Sequence, residues 1–190
     1  MKAIHINILT VLCFFLISQC SSKPGSETLI EDEEAPVEAV EEAPPSPRKE
    51  AIGVANGINI VVDYGSPAVK GRKIWGGLED YGKIWRAGAN ATTSVSFDKN
   101  TLINGEGLEA GKYALFIIPE EGEWTVIFNK DWDEWGAFAY DEAKDVLRIK
   151  TKPIWAEEVQ ERLEYKISES SLDFAWGKVR LSLDVNQDSQ

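Results

Sequence analysis

The chain has 190 residues, enough for one domain with a tail, and a formal net charge of -12. That balance excludes nucleic-acid binding, which needs a basic face to displace counterions from phosphates, and it excludes attraction to anionic lipid. With His5 the only histidine and Cys13 and Cys20 the only cysteines, imidazole and thiol chemistry have almost no residues to draw on.

Met1 and Lys2 give a short charged start, and Ile8 to Ile17 is a nearly unbroken apolar run. A membrane span needs about 20 apolar residues, so the run reads as the core of a secretory signal peptide. Ile17-Ser18-Gln19-Cys20 then resembles a lipobox, with Gln19 departing from the usual Gly, Ala or Ser before the cysteine. The expectation is a lipoprotein signal peptide over residues 1–20, with Cys20 as the lipidation site. Several acyl chains on one cysteine give stable anchoring, at about 0.8 kcal/mol per buried methylene. Ordinary cleavage near Ser18 or Cys20 is the alternative. Cys20 would otherwise be an unpaired thiol in an exported protein. Ser21 and Ser22, with no Asp beside the cysteine, point to the outer rather than the inner membrane of the cell envelope.

Residues 21–50 read as a disordered, acidic, Pro-rich tether. They hold nine carboxylates between Glu27 and Glu50, and five prolines from Pro24 to Pro47, with no aromatic residue. Such a stretch cannot bury enough apolar surface to offset its ordering entropy. Its carboxylate spacing fits no calcium loop.

Residues 51–190 read as one all-β domain, either a sandwich or a partly open barrel, mostly antiparallel, with long Gly- and Trp-rich loops. Ile58, Ile60 and Val62 alternate with Asn59, Val61 and Asp63 as a half-buried strand does. Ser66-Pro67 breaks that strand. Ala91–Phe97 is rich in β-branched residues, and Thr101–Ile103 is a short strand before the hairpin signal Asn104-Gly105. Lys112–Ile118 and Glu123–Asn129 are strands joined by a turn at Glu120-Glu121-Gly122. Val146–Thr151, Arg162–Ser168, Leu172–Trp176 and Val179–Val185 complete the set, with a tight turn expected at Gly177-Lys178. No stretch holds a 3.6-residue period, and all seven tryptophans lie beyond position 74, which places the core there.

Removal of His5 with the signal peptide eliminates Ser-His-Asp and Cys-His catalysis and histidine-based metal sites. No phosphate-cradling or dinucleotide glycine motif occurs. No cofactor, metal or catalytic residue is assigned.

Two constellations remain. The first runs from Asp63 to Asn90 and is dense in Gly, Trp and cations: Lys70, Arg72, Lys73, Lys83 and Arg86. Arg binds carboxylates and other anions bidentately. The structural alternative pairs Arg72 and Arg86 with Asp63, Glu79 or Asp80 and uses the tryptophans as core. The second runs from Trp132 to Glu142 and reads either as a platform for a sugar ring or peptide, or as a loop pinned by Trp135, Phe138 and Tyr140. The candidate ligand-binding residues are therefore Arg72, Trp85, Arg86, Asn90, Trp135 and Tyr140. Asp63, Glu134, Asp141 and Glu142 are the acids a glycosidase-like reading would use.

Several strings carry a family resemblance: Asp63–Leu78 (DYGSPAVKGRKIWGGL), Tyr81–Asn90 (YGKIWRAGAN), Gly111–Pro119 (GKYALFIIP), Glu123–Lys130 (EWTVIFNK) and Trp135–Asp141 (WGAFAYD). They resemble the bacterial domain of unknown function 2911, found in exported and lipid-anchored proteins. The resemblance spans nearly all of Asn59 to Val185 and implies a shared β-rich fold without implying a function. The family usually has Ser-Arg-Pro where Gly65-Ser66-Pro67 stands here, and often Glu where Ala91 stands.

The leading expectation is a lipid-anchored cell-envelope protein that is a non-enzymatic binding module for a small molecule, glycan or peptide, joined to the membrane through its N-terminal anchor and not a partner of nucleic acid. Two others stand beside it: a carboxylate-based hydrolase acting on envelope glycans, and a structural envelope component with protein partners.

Overall fold

A computed structural model of the chain describes residues 45–188. The expected signal peptide, Cys20 and the tether up to residue 44 lie outside the described residues. No helix among the described residues is long and apolar enough to cross a membrane.

The domain is all-β, with ten strands: β1 (Arg48–Ala55), β2 (Ile58–Gly65), β3 (Ser94–Phe97), β4 (Thr101–Ile103), β5 (Glu106–Leu108), β6 (Gly111–Ile118), β7 (Trp124–Asn129), β8 (Asp145–Thr151), β9 (Ile154–Ile167) and β10 (Ser171–Gln187). They form a six-stranded sheet in the order β1-β2-β3-β6-β7-β8 and a four-stranded sheet in the order β5-β4-β10-β9. Every pairing is antiparallel. The two sheets do not close into a barrel, so of the two expected architectures the sandwich describes the molecule.

Alternation explains the layers. In β2, Ile58, Ile60, Val62 and Tyr64 are buried. In β10 the buried residues are Leu172, Phe174 and Trp176, then Val179, Leu181, Leu183 and Val185. The parity changes at Gly177, whose φ is +58°. A β-bulge there resets the register against β9, so both halves of the strand face the same core. The tight turn expected at Gly177-Lys178 is thus a bulge inside one strand of 17 residues. A lone Gly in a strand pattern supports either reading until the partner strand is known.

β9 is longer than expected by eight residues at its start, since Ile154–Glu161 shows no alternation and is largely exposed. β1 was not expected at all. Arg48–Glu50, assigned by sequence to the tether, belong to it, because Arg48 forms a two-pronged ion pair with Asp63 of β2 at 2.6 and 2.8 Å. Asn56 and Gly57, both at positive φ, make the β1–β2 hairpin as Asn104 and Gly105 make the β4–β5 one.

Candidate functional site

The connection from β2 to β3, residues 66–93, places two tryptophans between the sheets. Trp75 and Trp85 are buried and meet Trp176 of β10 with ring centroids 5.6 Å apart in each case. Trp75 also lies edge-on to Trp124, at 4.5 Å. Such edge-on pairs add about 0.5–1.5 kcal/mol each beyond area burial. The loop is therefore part of the core along one side and a surface along the other.

On the surface side a cleft of about 340 Å³ opens between this loop and the bulged β9–β10 pair. The loop contributes Val69, Arg72, Lys73, Ile74, Trp75 and Tyr81, and the strands contribute Trp155, Val159, Gly177 and Lys178. The bulge makes the space. Between the Gly177–Gln160 and Val179–Trp155 pairings, β9 spends five residues where β10 spends two. Gly177 suits the bulge through its φ of +58°, since a Cβ there would make only ordinary contact with Ile74 and the Trp75 indole, at 3.7 and 3.9 Å.

The chemistry of the cleft is consistent. Three cations line it and no carboxylate does, on a chain whose net charge is -12. Arg72 is oriented by the backbone: its Nε donates to the Val69 carbonyl at 3.0 Å and its Nη2 to the Ala68 carbonyl at 2.5 Å. The Trp75 indole N–H, on a residue only 5% exposed, has no hydrogen-bond partner. A buried donor left unpaired costs about 1–3 kcal/mol, and the buried Trp176 indole N–H is unpaired in the same way. Trp85 and Trp124, by contrast, donate to the Gly88 and Glu120 carbonyls.

Beside the cleft, Glu79 is held against Trp75 by backbone bonds. Burial pushes its carboxyl up to about 7, opposed by the field of Arg86, raised further by Asp80 and lowered by Arg72. The Nε of Arg86 is itself buried without a hydrogen bond. A carboxyl that binds its proton more tightly when folded makes folding weaken as pH rises from the ordinary value of 4.5 to about 7. The loss should be about 1 kcal/mol, well below the full value of the shift, because water reaches part of the group. Urea titrations at pH 5 and pH 8 should show it, and Glu79→Gln should flatten the difference. An unchanged pH slope in Glu79→Gln would refute the assignment.

The six candidates from sequence do not share one site. Arg72 lines the cleft. Trp85 is 2% exposed and belongs to the core, so it cannot meet a ligand at the surface. Arg86 is half-buried in the field of Glu79. Asn90, at φ 65°, donates to the Ser46 carbonyl at 3.3 Å. Trp135 is exposed on the β7–β8 connection, where its backbone bridges Ala91. Tyr140 is half-buried against Phe116 and donates to Asp145 at 2.7 Å. Sequence reasoning missed Trp155 and Lys178. The one signal for Trp155 was a large aromatic in an otherwise acidic, patternless stretch.

The four acids do not converge either. Asp141 caps the short 3-10 turn at Glu142–Lys144, and Glu142 pairs with Arg148. Asp63 and Glu134 border a notch of only about 160 Å³, where both Asp63 oxygens face Arg48. Ligand pockets begin at about 300 Å³. Among the described residues, no group of three or more His, Cys, Asp or Glu could hold a metal ion.

Residues 46–185 match the family described as "Protein of unknown function (DUF2911)". No curated protein matches the chain, and no solved structure matches it.

Proposed function

From the premise that the chain belongs to the DUF2911 family of proteins of unknown function, a membership that brings no activity with it, we propose a lipid-anchored envelope protein whose domain binds a small anionic ligand. The ligand class is a carboxylate, sulfate or phosphate joined to a flat apolar body such as a ring. A cleft rimmed by Arg72, Lys73 and Lys178, with no carboxylate in its lining, on a chain whose net charge is -12, is the observation that supports this reading. Arg and Lys meet the charge, and Trp155 and Tyr81 the flat body. No group in the cleft is arranged as a nucleophile with a base, so binding rather than turnover is proposed.

Anchoring rests on the apolar run ending at Cys20, with Ser21 and Ser22 favouring the outer membrane. In membrane fractions, Cys20→Ala should release the protein to the soluble fraction. Retention of that variant on membranes would refute the anchor.

The cleft is tested with 8-anilinonaphthalene-1-sulfonate, an aromatic sulfonate whose emission reports transfer to an apolar site. The combined variant Arg72→Ala, Lys73→Ala, Lys178→Ala should bind it at least about tenfold more weakly, near the 1.4 kcal/mol that a tenfold change represents. Added salt should weaken binding to the parent chain but hardly affect the variant. The thermal midpoint should stay close to that of the parent, since all three side chains are solvent-reached. Equal affinity in parent and variant would overturn the site.

A further inference from the structure

The β7–β8 connection carries three large, exposed aromatic side chains, one of which, Trp132, lies under the Lys112 ammonium at 3.9 Å. Trp132 is 39% exposed, Trp135 66% and Phe138 92%. Scattered single apolar residues on a surface are ordinary, but three within seven positions of one loop form a patch. The loop is not loose. Thr92 donates its hydroxyl to the Gly136 carbonyl at 2.6 Å and its amide to the Glu134 carbonyl at 3.1 Å. Ala137 and Tyr140 turn inward onto Ala114, Phe116 and Ile127. Asn129 Nδ2 donates to the Asp141 carbonyl at 2.9 Å. A pinned backbone therefore splits the loop, seating the small and hydrogen-bonded residues inside and holding the aromatic rings outside.

Residues 90–92 hold something else as well. Asn90 donates to the Ser46 carbonyl, and Arg48 donates to the Ala91 and Thr92 carbonyls at 3.1 Å each. The chain thus enters the domain on Ala91 and Thr92, the two residues that fix the aromatic loop, and on Asn90 beside them. Between Cys20 and Pro45 lie 24 residues. At full extension a segment of that length would reach at most about 85 Å.

We propose that this loop docks the domain onto the lipid surface to which the chain is anchored, with Trp135 and Phe138 entering the headgroup region. The proposal rests on the anchor reading given above. Trp and Phe favour that region, where rings leave water while polar neighbours stay hydrated. A tether starting beside the loop supplies a local concentration in the millimolar range, so a weak intrinsic affinity is enough. Asp133 and Glu134, exposed between the rings, make a zwitterionic surface the preferred one, and anionic lipid should repel the loop.

The test uses the full chain, purified with its anchor and placed on phosphatidylcholine vesicles whose acyl chains carry bromine, a contact quencher of indole. Trp135 is one of seven tryptophans, so emission should fall by about a seventh relative to unbrominated vesicles. Phe138→Asp should abolish the quenching, and Phe138→Leu should keep it. Replacing a third of the lipid by phosphatidylserine should reduce it. A parent chain that floats with the vesicles but is not quenched overturns the docking and leaves the anchor standing. Equal quenching in Phe138→Asp assigns any contact to another surface and also overturns the docking. A parent chain that does not float overturns the anchor reading and, with it, docking by an anchored chain.

Discussion

Replacing Gly65 by alanine is expected to cost about 3 kcal/mol of folding stability, at the upper end of what a single added methyl causes. Gly65 ends β2, and the chain segment at Ala89 crosses directly over it. An added Cβ would stand 2.0 Å from the Ala89 carbonyl oxygen and 2.8 Å from its carbon. Both are backbone atoms, so no rotamer change relieves the overlap. The crossing is held by the Ala89 amide, which donates to the Gly65 carbonyl at 3.3 Å. Gly88 repeats the constraint, since a Cβ there would come within 2.4 Å of the Thr93 hydroxyl. That hydroxyl already donates to the Ala87 carbonyl, which also accepts from Tyr165. Separating the strands at this point would break a buried polar cluster and shift Arg86 with it. Urea titration should show a lower midpoint for Gly65→Ala at nearly constant slope. Gly107→Ala is the control, because nothing lies within 4 Å of its added Cβ. Equal midpoints for the two variants would mean that the crossing is not as tight as described.

Much of the sandwich is legible in the sequence because β2 and the edge strand β8 alternate, while β6 and β7, buried on both faces, read as short apolar runs bounded by turn signals. Asn104-Gly105 announced its hairpin. Asn56-Gly57 carries the same signal, but the strand before it shows no apolar face in sequence, because it leaves Ile52 and Val54 exposed and follows a Pro-rich acidic stretch. What decided β1 is an ion pair from Arg48 to Asp63, fifteen residues on, which no local pattern reveals. The Gly177 bulge is of the same kind: its meaning depends on the five residues that β9 supplies opposite it.

The site was legible only in part, for a related reason. The Gly-rich, cationic loop did mark the surface that matters, and Arg72 faces the cleft. Trp75 and Trp85 look alike in sequence, yet one borders the cleft with an unpaired indole and the other is sealed in the core with its indole bonded to Gly88. The difference lies in how the loop threads between the sheets. Trp155 and Lys178 complete the cleft from strands about 80 and 100 residues further along the chain, and only the tertiary fold brings them in. Trp135 was chosen for its aromatic loop. It is indeed a surface residue, but it stands with Ala91 and Thr92 where the chain enters the domain rather than at the cleft.

The second large effect is expected at Asp145, the residue that ties the far half of the aromatic loop to the sheet. Its side chain is 6% exposed. One oxygen accepts from Asn129 at 2.7 Å, and the other from Tyr140 at 2.7 Å and from Arg148 at 2.8 Å. Burial, and next the bond to Asp145, raise the Tyr140 hydroxyl well above its ordinary range, so it is a permanent donor that needs an acceptor. Asp145→Ala leaves the Asn129 amide and the Tyr140 hydroxyl without that acceptor, and Arg148 with Glu142 and the Tyr140 hydroxyl. Removing one partner of such a network costs about 3 kcal/mol, or a drop of about 10 °C in thermal midpoint for a domain of this size. Asp145→Asn keeps the shape and one acceptor, so it should cost less. The effect on the loop should be lopsided. Thr92 still holds Glu134 and Gly136, so their surroundings should keep their hydrogen-exchange protection, while residues 137–141 should exchange faster. Phe138 sits between these two pins. Unchanged exchange at 137–141 would mean that the inward packing of Ala137 and Tyr140 suffices to hold the ring outward. Faster exchange there would show that a buried carboxylate, rather than apolar contact, keeps the most exposed aromatic of the domain presented to its surroundings.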